Sequence, residues 1–145
     1  MESSQLIYLV EDDPITALVT EAFIKRSKSC QCEVVHYADG QQAFDQLSRA
    51  LRDEVRIPDL ILLDLNMPFM DGWDFLDACV GLSAVLAVPV VILTSSIRPC
   101  DAERARRYEN VKGYFSKPLD DAKVGQLLEL LGARPATGAP AAAAH

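Results

Sequence analysis

Five side chains of three chemical kinds stand out. Glu11 and Asp12 lie in the run VEDD, Asp64 opens DLNMPFMDG, Thr94 opens TSS after VVIL, and Lys117 precedes Pro118 in GYFSKPL. Together they are three carboxylates, a hydroxyl and an ammonium. Two unit charges ~4 Å apart repel by about 4 kcal/mol at an effective dielectric of ~20. A small site holding all three acids therefore retains a proton or is neutralised by a cation. An all-oxygen ligand set with room for water suits Mg²⁺, which keeps part of its hydration shell and favours phosphate partners. Thr94 and Lys117 would then face further anionic oxygens. The chemistry implied is that of a phosphoryl group beside a metal, with a carboxylate as nucleophile.

These residues converge only if the chain brings four distant segments to one edge, and its pattern does so. Strand-like and helix-like segments alternate five times. Gln5–Val10 is a short apolar run that stops at Glu11-Asp12-Asp13-Pro14, where Asp13 can cap a helix and Pro14 can occupy its first turn. Ile15, Leu18, Val19, Ala22 and Phe23 then follow the spacing of one helix face. Glu33–Tyr37 reads as a second strand, and Asp39-Gly40 opens a helix carrying Ala43, Phe44, Leu47 and Leu51. Leu60–Leu63 is an all-apolar strand, as expected for one buried on both faces of a parallel sheet. Asn66-Met67-Pro68 and Asp71-Gly72 lead into a third helix with Phe75, Leu76 and Cys79.

Val88–Leu93 is the fourth strand, Pro99–Tyr108 a polar helix and Lys112–Ser116 the fifth strand. Val124, Leu127, Leu128 and Leu131 stripe the last helix. Such βα units need right-handed crossovers, which gives an α/β, doubly wound parallel sheet with helices on both faces. Its ligands sit at the carboxyl ends of the strands. Glu11 and Asp12, Asp64, Thr94 and Lys117 all fall on that edge.

Composition sets the outer limits. The 145 residues fit one domain, with 21 acidic against 14 basic side chains and a net charge of −7. Duplex binding needs clustered positive charge, so nucleic acid is not the expected partner. No apolar run approaches the ~20 residues of a membrane span, and the start MESSQLIYLVEDD lacks the basic n-region of a signal peptide. Cys30 and Cys32 form C-x-C without the spacing of a zinc site, so all four cysteines are expected to be reduced thiols in a cytoplasmic protein. From Gly132 the composition turns to Ala, Pro and Gly, and 132–145 reads as a flexible extension of a 4–131 domain.

With VEDD, DLNMPFMDG, LTSS and GYFSKPL in this order, the chain resembles the receiver domain of two-component response regulators over roughly residues 4–131. The resemblance implies a five-stranded, flavodoxin-like (βα)₅ sheet of strand order 2-1-3-4-5. It implies that Asp64 is the phosphoacceptor, served by a histidine kinase or histidine phosphotransfer protein. Glu11, Asp12, Asp64 and the backbone carbonyl of Asn66 would hold Mg²⁺, Thr94 and Lys117 would contact phosphoryl oxygens, and Tyr114 would be the switch aromatic. The Lys117–Pro118 peptide should be cis, and Asn66 and Ser96 should flank the phosphoryl group. The signal would leave through the face made by the fourth helix, fifth strand and last helix, towards a separate protein or a second copy in a homodimer. Ser95–Pro99 and Val111–Tyr114 are similar to stand-alone receivers, which act as switches and not as enzymes on external substrates. Two departures are a longer stretch before Asp64 (Arg49–Pro58) and a Thr94–Lys117 spacing longer by one residue.

Plainer readings compete at single positions. Asp13 is a helix cap before it is a metal ligand. Trp73 is a packing residue before it is a partner contact, and Arg104, Arg106 and Arg107 are a solvated face before they are a docking patch for an acidic partner. A haloacid-dehalogenase-type phosphatase, which also forms an aspartyl phosphate, wants a second Asp two residues after the nucleophile as general acid. Here that residue is Asn66. A degenerate receiver would lack one of the acids or the lysine, and a Rossmann nucleotide binder would show G-x-G-x-x-G after the first strand. Neither pattern is present.

Overall fold

Alternating strands and helices follow each other without exception in the computed structural model, which describes residues 4–27, 31–82, 87–95 and 98–132. The strands are β1 (Gln5–Val10), β2 (Cys32–Tyr37), β3 (Leu60–Asp64), β4 (Val90–Thr94) and β5 (Val111–Ser116). The helices are α1 (Pro14–Lys25), α2 (Gly40–Arg52), α3 (Gly72–Val80), α4 (Pro99–Ala105) and α5 (Asp121–Gly132). All strand pairs are parallel and the order is β2-β1-β3-β4-β5. The expected doubly wound sheet is therefore the one observed. Its reversal point lies between β1 and β3, which carry the acids.

β3 and β4 are buried at every residue, as central strands covered on both faces must be. Alternate side chains feed two cores. Tyr8, Val10, Ile61, Leu63 and Ile92 pack with Ala43, Leu47, Phe75 and Leu76 of α2 and α3. Ile7, Leu9, Leu62, Val91 and Leu93 pack with Ala17 and Ile24 of α1 and Val124, Leu127 and Leu131 of α5. Beneath the sheet, the buried Asp59 accepts a hydrogen bond from Leu6 N–H at 2.8 Å and pairs with Arg56 at 3.0 Å.

Four expectations need correction. The face of α1 is the largest. Ala17, Thr20 and Ile24 are its buried positions, while Ile15, Leu18, Val19 and Ala22 are exposed and Phe23 is only partly covered. The bulky apolar spacing marked the wrong face, because small residues let this helix lie close to the sheet.

The fourth helix stops at Ala105, not Tyr108, and β4 begins at Val90, beyond Pro89, which has no N–H for the ladder. Cys32 is disulfide-bonded, not reduced, whereas Cys79 and Cys100 are free. Of the expected 132–145 extension only Gly132 is described, as the last residue of α5. No described helix is long and apolar enough to cross a membrane.

Candidate phosphoryl-transfer site

Strand ends deliver the chemistry to one place. Glu11 and Asp12 directly follow β1, Asp64 is the last residue of β3, Thr94 the last of β4, and Lys117 follows β5. Glu11, Asp12 and Asp64 each offer a carboxylate oxygen, and these oxygens lie within 4.8 Å of one another. Glu11 and Asp64 are buried, and Asp12 is exposed at the mouth. Lys117 Nζ is 2.7 Å from Glu11 Oε1 and 3.3 Å from Asp64 Oδ1. Thr94 is also buried, and the Lys117 N–H donates to its carbonyl at 2.8 Å.

Local chemistry fixes these positions. Asp13 accepts from Ile15 N–H and from the Thr16 hydroxyl, so it caps α1 as expected. The Asp13 N–H donates to Glu11 Oε2 at 3.2 Å, which aims that carboxylate inward. Asn66 N–H donates to Asp64 Oδ1 at 3.3 Å. Gly72 opens α3 beneath Asp64. A Cβ there would come within 2.8 Å of both the Asp64 carbonyl oxygen and Leu65 Cα, so only glycine permits this approach. Asp71 and Asp74 form a capping box on the same helix.

Electrostatics follow from the crowding. Burial first, then the Glu11 charge, push the Asp64 carboxyl above the usual carboxylate range, against the pull of Lys117. Burial opposes the charged form of Lys117, but Glu11 and then Asp64 outweigh it and hold the ammonium above its ordinary range. One lysine thus pairs with two of the three acids, and the excess negative charge on oxygen donors fits a hard divalent cation. The expected residues that could hold Mg²⁺ are together: Glu11, Asp12 and Asp64, with Asn66 beside Asp64.

Other expectations divide. The Lys117–Pro118 peptide is cis. Tyr114 is partly buried, with its hydroxyl already shielded from solvent, and burial raises its pKa, followed by the charge of Asp101. An outward rotamer with a solvated hydroxyl is not what the structure holds. Ser96 lies outside the described residues. Trp73 is buried in the core as expected, stacked on Tyr108 at 6.0 Å. Arg104 is not merely solvated, because its guanidinium lies 4.5 Å from the centre of the Trp73 ring. Arg106 pairs with Glu103.

Sequence reasoning missed two contacts. His36 Nε2 donates to the Glu11 carbonyl at 2.7 Å, and Lys123 Nζ donates to the carbonyls of Ser116 and Pro118. The parallel register of β1 and β2, pairing Leu9 with His36, would have signalled the first. No motif signals the second.

The fold and this site define a receiver. The response regulator receiver domain family matches residues 7–129, and the chain belongs to that family. It is 35% identical over 120 residues to FilR2 of Methanothrix harundinacea, covering 81% of this chain and 75% of that protein. It is 30% identical to the two-component response regulator ORR41 of Oryza sativa subsp. japonica, covering 84% and 90%. Among solved structures, a two-component response regulator from Legionella pneumophila superposes with a TM-score of 0.77 at 28% identity, covering 90% of this chain and 99% of that one. The chain is a response regulator receiver domain of two-component signalling, a family whose members bind Mg²⁺ and take their signal from histidine kinases or phosphotransfer proteins.

Proposed function

We propose that Asp64 accepts the phosphoryl group. A carboxylate oxygen of Asp64 attacks phosphorus, a P–O bond forms, and the P–N bond to a donor histidine breaks. The released imidazole nitrogen takes a proton from water. Glu11, Asp12, Asp64 and the Asn66 carbonyl hold Mg²⁺, which when bound supplies positive charge to the carboxylates and the phosphoryl oxygens. Lys117 and Thr94 donate to those oxygens, and Asn66, whose N–H donates to Asp64 Oδ1, flanks the group and controls the access of hydrolytic water. Phosphorylation and dephosphorylation are self-catalysed, and the chain is a switch, not an enzyme acting on external substrates.

The observation carrying this reading is the convergence of Glu11, Asp12 and Asp64 within 4.8 Å, with Lys117 bridging two of them. The test is incubation with acetyl phosphate and Mg²⁺ followed by intact mass. Wild type should gain one phosphoryl group only with the divalent metal, and Asp64→Asn should gain none. Equal labelling of both would overturn it.

The donor is a histidine kinase or histidine phosphotransfer protein in the cytoplasm, where ATP charges the kinase. The exposed Ile15, Leu18 and Val19 on α1, which begins three residues after Glu11, support its docking there. The signal then leaves through α4, β5 and α5 to a separate protein or a second copy. Phosphate draws Thr94 inward, and Tyr114 follows on the neighbouring strand, where Ile92 and Tyr114 are paired.

A further inference from the structure

Lys123 stands where a lysine is electrostatically misplaced. It lies in the first turn of α5, and a cation there opposes the helix dipole. Asp120 relieves this in part, accepting from the Lys123 N–H at 2.8 Å and lying 3.9 Å from Nζ. The ammonium is not simply solvated. It donates to the Ser116 carbonyl at 2.7 Å, the Pro118 carbonyl at 3.2 Å and the Ser116 hydroxyl at 3.4 Å. An ammonium has three protons, and this one spends all of them on the loop that carries Lys117.

The two carbonyls belong to the residues on either side of Lys117. The Lys117 N–H is tied to the Thr94 carbonyl at 2.8 Å. Lys117 is therefore held by its own N–H on the β4 side and by Lys123 at both flanking carbonyls. Its side chain is a flexible four-carbon stem, so the reach of its ammonium to Asp64 depends on where its backbone is fixed.

We propose that Lys123 is a positioning residue for the phosphoryl-transfer site. It straps the loop between β5 and α5 so that Lys117 presents its ammonium to Asp64 and to the phosphoryl oxygens. The inference rests on Asp64 being the phosphoacceptor. Charge-assisted bonds to both carbonyls fix the loop better than exchanging water would.

The test compares wild type, Lys123→Met and Lys123→Arg. The rate of phosphorylation by acetyl phosphate is followed by intact mass at saturating Mg²⁺, and Mg²⁺ affinity by titration calorimetry. Lys123→Met should slow phosphorylation about tenfold, the scale of a small misplacement of a reacting group. Its Mg²⁺ affinity should be unchanged or tighter, because a loosened Lys117 competes less for Glu11 and Asp64. Lys123→Arg should recover the rate to within about threefold, since a guanidinium can bond the same carbonyls. Lys123→Ala, which also removes every side-chain donor, replaces Lys123→Met if the latter does not fold. A rate for Lys123→Met indistinguishable from wild type overturns the inference. So does loss of Mg²⁺ binding in step with the rate, or failure of Lys123→Arg to recover it. If wild type itself takes no phosphoryl group, the phosphoacceptor reading fails first and this inference falls with it.

Discussion

Lys117 answers two buried carboxylates at once, 2.7 Å from Glu11 Oε1 and 3.3 Å from Asp64 Oδ1. Where the metal is absent this lysine is the counter-ion of the site, and with a phosphoryl group present it becomes a donor to it. Lys117→Gln should slow phosphorylation by about 100-fold, the usual cost of losing a preorganised donor to developing charge. The same variant should melt lower than wild type without Mg²⁺ and recover when Mg²⁺ is added, because the acids then regain a cation. Calorimetry with and without metal, beside the mass assay, checks both halves.

The raised Asp64 carboxyl gives a pH prediction with a definite sign. Its native value of about 7 exceeds the ordinary carboxylate value, so the native state binds the extra proton between them. Stability of the metal-free protein should fall as pH rises from about 4 through about 7, and stay level above that. Asp64→Asn removes this dependence and should stabilise the metal-free protein at pH 8 relative to pH 5. Urea unfolding at pH 5 and pH 8 measures it, and an equal slope in both proteins would contradict it.

Gly72 admits no side chain. A Cβ would meet the Asp64 carbonyl oxygen and Leu65 Cα at 2.8 Å, both backbone atoms that cannot turn aside. Gly72→Ala should destabilise the fold by about 2 kcal/mol through overpacking. It should also slow phosphorylation, because the strain falls on the residue that accepts the group. Unchanged urea midpoints would show that the loop gives way freely.

On α1 the prediction separates folding from docking. Leu18 is 70% exposed, so Leu18→Glu should change stability by less than about 0.5 kcal/mol. Labelling by acetyl phosphate should be unaffected, while transfer from a phosphorylated histidine kinase that labels wild type should fall at least about tenfold, a hot-spot-sized loss. Equal transfer to both proteins would move the donor interface elsewhere.

Thr94 and Tyr114 should act in series. In wild type, amide exchange across α4, β5 and α5 should respond to phosphorylation, and Thr94→Ala and Tyr114→Ala should blunt that response at equal phosphorylation. The Tyr114 hydroxyl is already out of solvent, so the expected change is a repacking around Arg98 and Asp101, not a swing from bulk water. If both variants respond as wild type does, the signal takes another route.

Much of this was legible from residue types alone. Central strands that are apolar up to their last residue announce a sheet covered on both sides, and strand ends then place Asp64, Thr94 and Lys117 on one edge. Asp13 declares its helix by the capping chemistry of Asp. The α1 face was not legible, because Ala17 and Thr20 are buried for their small size while hydropathy points to Ile15 and Leu18. Lys123 was hidden for a different reason. A lysine in a helical first turn carries no local sign of partners, and its acceptors are carbonyls that every residue owns.

Trp73 is the chain's one tryptophan, buried at the α3 end of the core with Arg104 of α4 over its face and Tyr108 stacked on it. Any displacement of α4 must slide a positive charge across that indole. The emission of the single tryptophan therefore reports the state of the output face, so switching can be timed optically in unlabelled protein.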